Sequence, residues 1–199
     1  MLNQGTIIAK ATAAGSSAIS LFRLSGSNSI EMVSECFQSK SKKKLLNQKS
    51  HTIHLGTLKY NGLALDEVLI SIFRAPHSYT GENVVEISCH GSNYIQEEIL
   101  RLFVSKGAQH AKPGEFTLRA FLNKKMDLSQ AEAVADLIVS ESKAAHEVAM
   151  NQMRGGYTAE IAQLRQKLLD FASLITLELD FAEEDVAFAD RSALTELLS

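Results

Sequence analysis

Between Lys112 and Ala133 the chain reads Lys-Pro-Gly-Glu-Phe-Thr-Leu-Arg-Ala-Phe-Leu-Asn-Lys-Lys-Met-Asp-Leu-Ser-Gln-Ala-Glu-Ala, and no other stretch restricts its folding so tightly. Pro113-Gly114 sets a turn. Glu115 precedes Arg119 by one helical turn in the favourable orientation, most simply a helix-stabilising pair. Ser129 and Glu132 have the spacing of a capping box, which predicts a second helix starting there. A turn, a short helix, a basic exit loop and a new helix therefore follow one another without a gap, and the run separates two regions of different pattern.

From Thr6 to about Lys112, short β-branched or apolar runs alternate with one or two helical stretches, which predicts a mixed α/β layer. Strands are expected over Thr6–Ala11, Ala18–Ser25, Thr52–Tyr60, Asp66–Phe73 and Asn83–His90. Helices are expected over Ser27–Phe37, with Ser27 or Asn28 as cap, and over Ser92–Lys106, closed by Gly107. From Gly114 onward the pattern is helical only. Ala131, Val134, Ala135, Ile138, Ala145 and Val148 recur at helical spacing as a buried face that tolerates Ser142. After a stop at Gly155-Gly156, Ile161, Leu164, Leu168, Phe171, Ile175, Leu179 and Ala182 form a second stripe. Long antiparallel helices of this kind need a third partner to cover their seams. The expected class is α+β: a mixed-sheet domain over residues 1–113, then part of an all-α bundle over 114–199.

With 199 residues and 45% hydrophobic content the chain can bury a real core. It holds no run of about 18 apolar residues for a membrane span, and Met1–Thr6 lacks the layout of a signal peptide; a soluble cytoplasmic protein is expected. Cys36 and Cys89 are too few and too far apart for a zinc ligand set, and a reduced compartment is the simpler reading. A net charge of -3 makes no global case for nucleic-acid binding. Any RNA contact must use a local patch, and the basic loop Ser39–Lys44 offers one, although a solvated connector is the simpler reading. No glycine loop ending in Gly-Lys and Ser or Thr occurs, so no phosphate cradle is expected. Asn123–Asp127 only approaches the guanine-reading Asn-Lys-x-Asp motif: its aspartate is one position late and it precedes a helix.

Side chains alternate along Asn83–His90, so Val85, Ile87 and Cys89 face one layer while Val84, Glu86, Ser88 and His90 face the other. Cys89 reads as core, and it cannot meet His90 as a nucleophile and base. Glu86 is either an ordinary polar residue on an exposed strand face or a carboxylate placed to accept two parallel hydrogen bonds from an amidine-like ligand edge. Arg23 sits mid-strand, where it either snorkels at a sheet edge or finds an anionic partner. Lys125, between two helices, would ordinarily be solvent-exposed. No catalytic residue and no metal site is expected.

The run from Lys112 to Ala133 closely resembles the hinge between the N-terminal and helical domains of the MnmE (TrmE) family of tRNA modification GTPases. Pro76-His77-Ser78-Tyr79-Thr80-Gly81-Glu82-Asn83-Val84-Val85-Glu86 with Cys89-His90-Gly91 is similar to a second signature of that family, and Leu21-Phe22-Arg23-Leu24-Ser25-Gly26 to a first. All three occur in family order, and the likeness continues to the acidic Asp180–Asp185 segment. The resemblance implies a fold like that of folate-dependent aminomethyltransferases, a 5-formyltetrahydrofolate or methylenetetrahydrofolate site using Arg23, Glu86 and Lys125, and a homodimer with that site close to its interface. For the whole family protein it implies GTP, Mg2+ and K+. It also implies an FAD-dependent partner, MnmG, in a heterotetramer, and addition of a carboxymethylaminomethyl or aminomethyl group to the wobble uridine of certain tRNAs. The family inserts its GTPase domain within the helical domain, so a chain ending at Ser199 is expected to be a fragment cut shortly before that insertion. One departure stands out. Ala13-Ala14-Gly15-Ser16-Ser17-Ala18 occupies the place of a Pro-Pro-Gly-Arg-Gly-Gly-like loop, so an arginine is missing from one wall of the implied pocket. A stand-alone folate-dependent aminomethyltransferase and a non-enzymatic helical scaffold are the alternatives.

Overall fold

Alternating apolar strands need a layer of helices against one face, and the chain supplies two. A computed structural model describes residues 5–180. In it the chain divides into two compact units, Met1–Asp127 and Leu128–Ser199. The first contains strands β1 (Ile7–Lys10) and β2 (Ser17–Ser25), helix α1 (Ser29–Cys36), and strands β3 (Phe37–Ser39), β4 (Thr52–Tyr60), β5 (Leu63–Phe73) and β6 (Val84–Gly91). Helix α2 (Asn93–Ser105), strand β7 (Gln109–His110) and helix α3 (Glu115–Leu122) complete it. The sheet order is β3-β4-β5-β6-β2-β1-β7. Every pairing is antiparallel except β1 with β7, which makes the sheet mixed as expected.

One face carries the core. Phe22 and Leu24 of β2, Ile70 and Ile72 of β5, and Val85, Ile87 and Cys89 of β6 pack with Ile30 and Val33 of α1 and with Ile99, Leu102 and Phe103 of α2. Each buried large side chain contributes roughly 1.5–3 kcal/mol, and this cluster holds α1 and α2 to the sheet. The opposite face is different. Register aligns Arg23, Glu86, Ser71 and Ile53 in one row across β2, β6, β5 and β4, and Leu21, Ser88, Leu69 and Leu55 in the next. Ile53 is 68% exposed, and Ile19, Leu55 and Leu69 are exposed as well. This apolar sheet face is largely bare.

Several boundaries differ from expectation. β5 begins at Leu63, not Asp66, because Asn61 and Gly62 both adopt positive φ (50° and 79°) and close a two-residue hairpin with β4. The three-residue β3 and two-residue β7 are too short to show a period and were not anticipated. The compact first unit runs on to Asp127, past the expected division at 113/114, because α3 is tied into it by the ion pair of its buried Arg119 with Glu82.

The second unit contains α4 (Leu128–Val139), α5 (Lys143–Met153) and α6 (Gly156–Asp180). The stripe through Ser142 is not one helix: Ser142 caps α5, its Oγ accepting from the Ala145 amide at 3.2 Å. Nor does Ser129 stand ahead of α4, since the helix starts at Leu128. The Gln130 side chain donates to the Met153 carbonyl and the Gln152 side chain to that of Ser129, at 3.0 and 3.2 Å, lacing the α4–α5 hairpin. Only Ala133 and Ala149 are buried there, while Ile138 and Val148 of the expected face are exposed. Two helices cover only the seam between them, and small residues fill it. Gly155, at φ 83°, ends the hairpin as expected. The expected stripe residue Ala182 and the acidic positions after Asp180 lie outside the described residues.

Candidate functional site

Arg23 of β2 and Glu86 of β6 are directly opposite in the ladder. The Arg23 guanidinium donates through Nε to Glu86 Oε1 at 2.8 Å, and its Nη2 lies 2.7 Å from the same oxygen. The anionic partner of Arg23 is thus Glu86 itself, and the two sequence candidates form one unit. Because both contacts fall on one oxygen, Glu86 Oε2 receives no hydrogen bond among the described residues and keeps its accepting capacity. Both side chains are partly exposed, at 28% and 20%. The guanidinium carbon lies 5.5 Å from the Tyr79 ring centroid and 5.7 Å from that of Phe116, within cation–π range of both. At this end the bare sheet face is roofed by two aromatic rings.

The segment carrying Tyr79 is held from several sides. Tyr79 Oη and Thr117 Oγ1 share a hydrogen bond of 2.9 Å, linking it to α3. The buried Arg119 reaches Glu82 through Nη1, at 3.1 Å to Oε2, and Glu115 through Nη2 at 3.1 Å. Glu82 Oε2 also accepts from Ser25 Oγ at 2.6 Å. Glu115 with Arg119 is therefore more than a helix pair: with Glu82 it forms a buried network joining α3, β2 and the loop before β6. Burial pushes the Glu115 carboxyl up, but the Lys112 amide, the Arg119 hydrogen bond and charge, and the Lys112 charge together hold it below its ordinary value of 4.5.

Lys125 joins the loop, not the pair. Its Nζ donates to the Pro76 carbonyl at 3.1 Å, while Asn123 Nδ2 donates to the Thr80 carbonyl at 2.7 Å. Gly81 makes that approach feasible. Its φ is 78°, and a Cβ there would meet Asn123 Cβ at 3.0 Å. The Ala13–Ala18 segment is fixed by Gln96 of α2, whose Nε2 donates to the carbonyls of Gly15 and Gly91 at 3.1 and 2.9 Å while Lys10 Nζ donates to its Oε1 at 2.9 Å.

The cysteines stand apart from this chemistry. Burial pushes the Cys36 and Cys89 thiols up to about 11, so neither is a thiolate at neutral pH. His90 turns away from Cys89 and pairs through Nδ1 with the largely buried carboxylate of Asp66 at 2.7 Å. Among the described residues no cluster of three or more His, Cys, Asp or Glu could hold a metal ion, and no helix is long and apolar enough to cross a membrane.

The three sequence signatures thus converge on one end of the sheet, where each contributes side chains to the others. The family model for the GTP-binding protein TrmE N-terminus matches residues 6–125, and the model for the MnmE helical domain matches residues 128–199. The chain belongs to the MnmE (TrmE) family. Proteins named tRNA modification GTPase MnmE from Flavobacterium psychrophilum and Flavobacterium johnsoniae are 60% and 58% identical to it over 199 residues, which is 100% of this chain and 43% of each relative. A protein of the same name from Bacteroides thetaiotaomicron is 58% identical over 198 residues, 98% of this chain and 42% of the relative. The chain spans less than half the length of these relatives. The first family segment ends at residue 125 and the second begins at 128, on either side of the division between the compact units at Asp127–Leu128.

Sequence reasoning singled out Arg23, Glu86 and Lys125 but not Tyr79, Glu82 or Phe116. Tyr79 and Glu82 lie inside the MnmE-type signature, so the signal was present. Phe116 reads in sequence only as an apolar helix position. Its part depends on where α3 docks.

Proposed function

We propose that the first unit is a one-carbon tetrahydrofolate site and dimer surface within a protein that modifies the wobble uridine of certain tRNAs. The observation that carries this reading is the Arg23–Glu86 pair beneath the Tyr79 and Phe116 rings. The donor set suits such a ligand. Glu86 Oε2 is available to accept from the amidine-like edge of a pterin, the two rings offer flat apolar surface for its plane, and Lys125 supplies positive charge for a glutamate tail. When bound, 5-formyltetrahydrofolate or methylenetetrahydrofolate would supply the one-carbon unit. The chain's own residues bind and orient: Arg23 fixes the Glu86 carboxylate, and Lys125 and Asn123 hold the loop that presents Tyr79. In this reading the whole protein hydrolyses GTP with Mg2+ and K+ and dimerises through the first unit. It acts on tRNA in the cytoplasm with the FAD-dependent MnmG in a heterotetramer, adding an aminomethyl or carboxymethylaminomethyl group. The fold of the first unit is then that of folate-dependent aminomethyltransferases.

Isothermal calorimetry with 5-formyltetrahydrofolate tests the site. The wild-type chain is expected to bind, and Glu86→Gln to lose about 1–3 kcal/mol by leaving a ligand donor poorly paired. Absence of binding by folded wild-type protein would remove the folate role. An unchanged affinity in the variant would reduce Glu86 to a sheet-face residue.

A further inference from the structure

From Cys36 to Leu65 the sequence contains Lys40, Lys42, Lys43, Lys44, Lys49 and Lys59 and not one Asp or Glu, in a chain whose net charge is -3. Two of the nearest acids are paired with lysines, Glu35 with Lys106 and Glu67 with Lys40, and Asp66 is turned to a hydrogen bond with His90. Lys42, Lys43 and Lys44 are exposed and have no ion-pair partner among the described residues.

These lysines do not sit on a slack connector. Leu45, next in the chain, is 2% exposed and belongs to the core. Arg74, at the end of β5, donates through Nε to the Gln48 carbonyl at 2.9 Å and through Nη2 to the Leu46 carbonyl at 2.6 Å. The Lys42 amide donates back to the Ser39 carbonyl at 3.1 Å, and the Gln48 side chain to the Lys44 carbonyl at 3.0 Å. The fixed loop borders a shallow concavity whose floor includes the apolar Phe37 and Leu45 and whose polar lining is Ser34, Gln38, Ser39 and the three lysines, without an acidic side chain. Burial, and after it the charge of Lys43, hold His54 below its ordinary 6.5. Lysine ammonium groups are compact point charges suited to single phosphates, and hydroxyl and amide groups beside them supply further hydrogen bonds.

We infer that the Lys42–Lys44 loop and its concavity form a docking surface for the phosphodiester backbone of a structured RNA. The inference rests on reading tRNA as the substrate, and it assigns the contact to the β3–β4 edge of the sheet. Contacts of this kind position a nucleic acid without reading its sequence, so the surface orients the RNA and leaves base selection elsewhere.

The test is fluorescence anisotropy of a labelled tRNA transcript with the chain, repeated across a range of KCl concentrations. The triple variant Lys42→Gln, Lys43→Gln, Lys44→Gln is expected to bind about tenfold or more weakly at physiological salt, with the slope of log affinity on log salt shallower by about 2–3. The triple lysine-to-arginine variant should retain wild-type binding. So should Lys143→Gln with Lys167→Gln, which removes exposed charge elsewhere. Wild-type affinity and slope in the glutamine variant would overturn the surface and leave tRNA binding to another part of the protein. A wild-type chain that binds no tRNA would also overturn it, while the folate calorimetry would still decide the proposed cofactor role. Loss of binding to anionic phospholipid vesicles, with tRNA binding intact, would overturn it in favour of a membrane surface.

Discussion

Arg119 shows how one side chain sets the placement of an element. It is 5% exposed and bridges Glu82 and Glu115, so its removal strands two carboxylates in a poorly solvated setting. Arg119→Met is expected to destabilise the first unit by about 3 kcal/mol, read as a lowered urea midpoint at unchanged slope. The same network carries a pH signature. The folded-state value of Glu115 is depressed, so its contribution is fully present above the ordinary 4.5 and is lost as pH falls through the lower folded value. Urea midpoints should therefore fall more steeply below about pH 4.5 in wild type than in Glu115→Gln, and parallel curves would dissociate Glu115 from the acid response. The two thiols give a third residue-scale expectation. Held up near 11 by burial, Cys36 and Cys89 should react with a maleimide only on unfolding, so labelling in native buffer should track the global unfolding rate.

At the scale of elements, the loop before β6 is shaped by Gly81. Alanine there would adopt a left-handed conformation at a cost of about 1–2 kcal/mol and would press on Asn123 at 3.0 Å. Gly81→Ala is expected to lower the melting temperature and, if the folate reading holds, to weaken folate binding by displacing Tyr79. Unchanged melting would mean the loop tolerates the shift. Elements governed by local rules were legible in the sequence: β4 over Thr52–Tyr60, the alternation that buries Val85, Ile87 and Cys89, and the turn at Gly155. What escaped depends on distant partners. β7 is two residues that become a strand only beside β1, and Phe116 gains its part only because Arg119 docks α3 beside Tyr79. The α4–α5 break at Ser142 is not legible in the sequence, because a cap and a tolerated polar residue look alike until the chain turns. Arg23 and Glu86 were found separately, and only the strand register showed that each is the other's partner.

For the molecule as a whole, the bare sheet face and the exposed helical stripes offer two different surfaces for association. If the proposed dimer forms through the first unit, protein ending at Asp127 should still run as a dimer in light scattering. If the apolar positions of α4–α6 cause association, it should become monomeric, and a monomer at high micromolar concentration would count against the proposed assembly. Having no phosphate-cradling glycine loop in its sequence, the chain is also expected to show no GTP affinity of its own in a filter-binding assay. The uncovered face has a calorimetric corollary. Whatever settles over Ile19, Ile53, Leu55 and Leu69 takes apolar surface out of water, so its binding heat should grow more exothermic with temperature, the negative heat-capacity change that accompanies such burial. Since that driving force fades on cooling, a complex made on this face should loosen in the cold room and tighten on the bench.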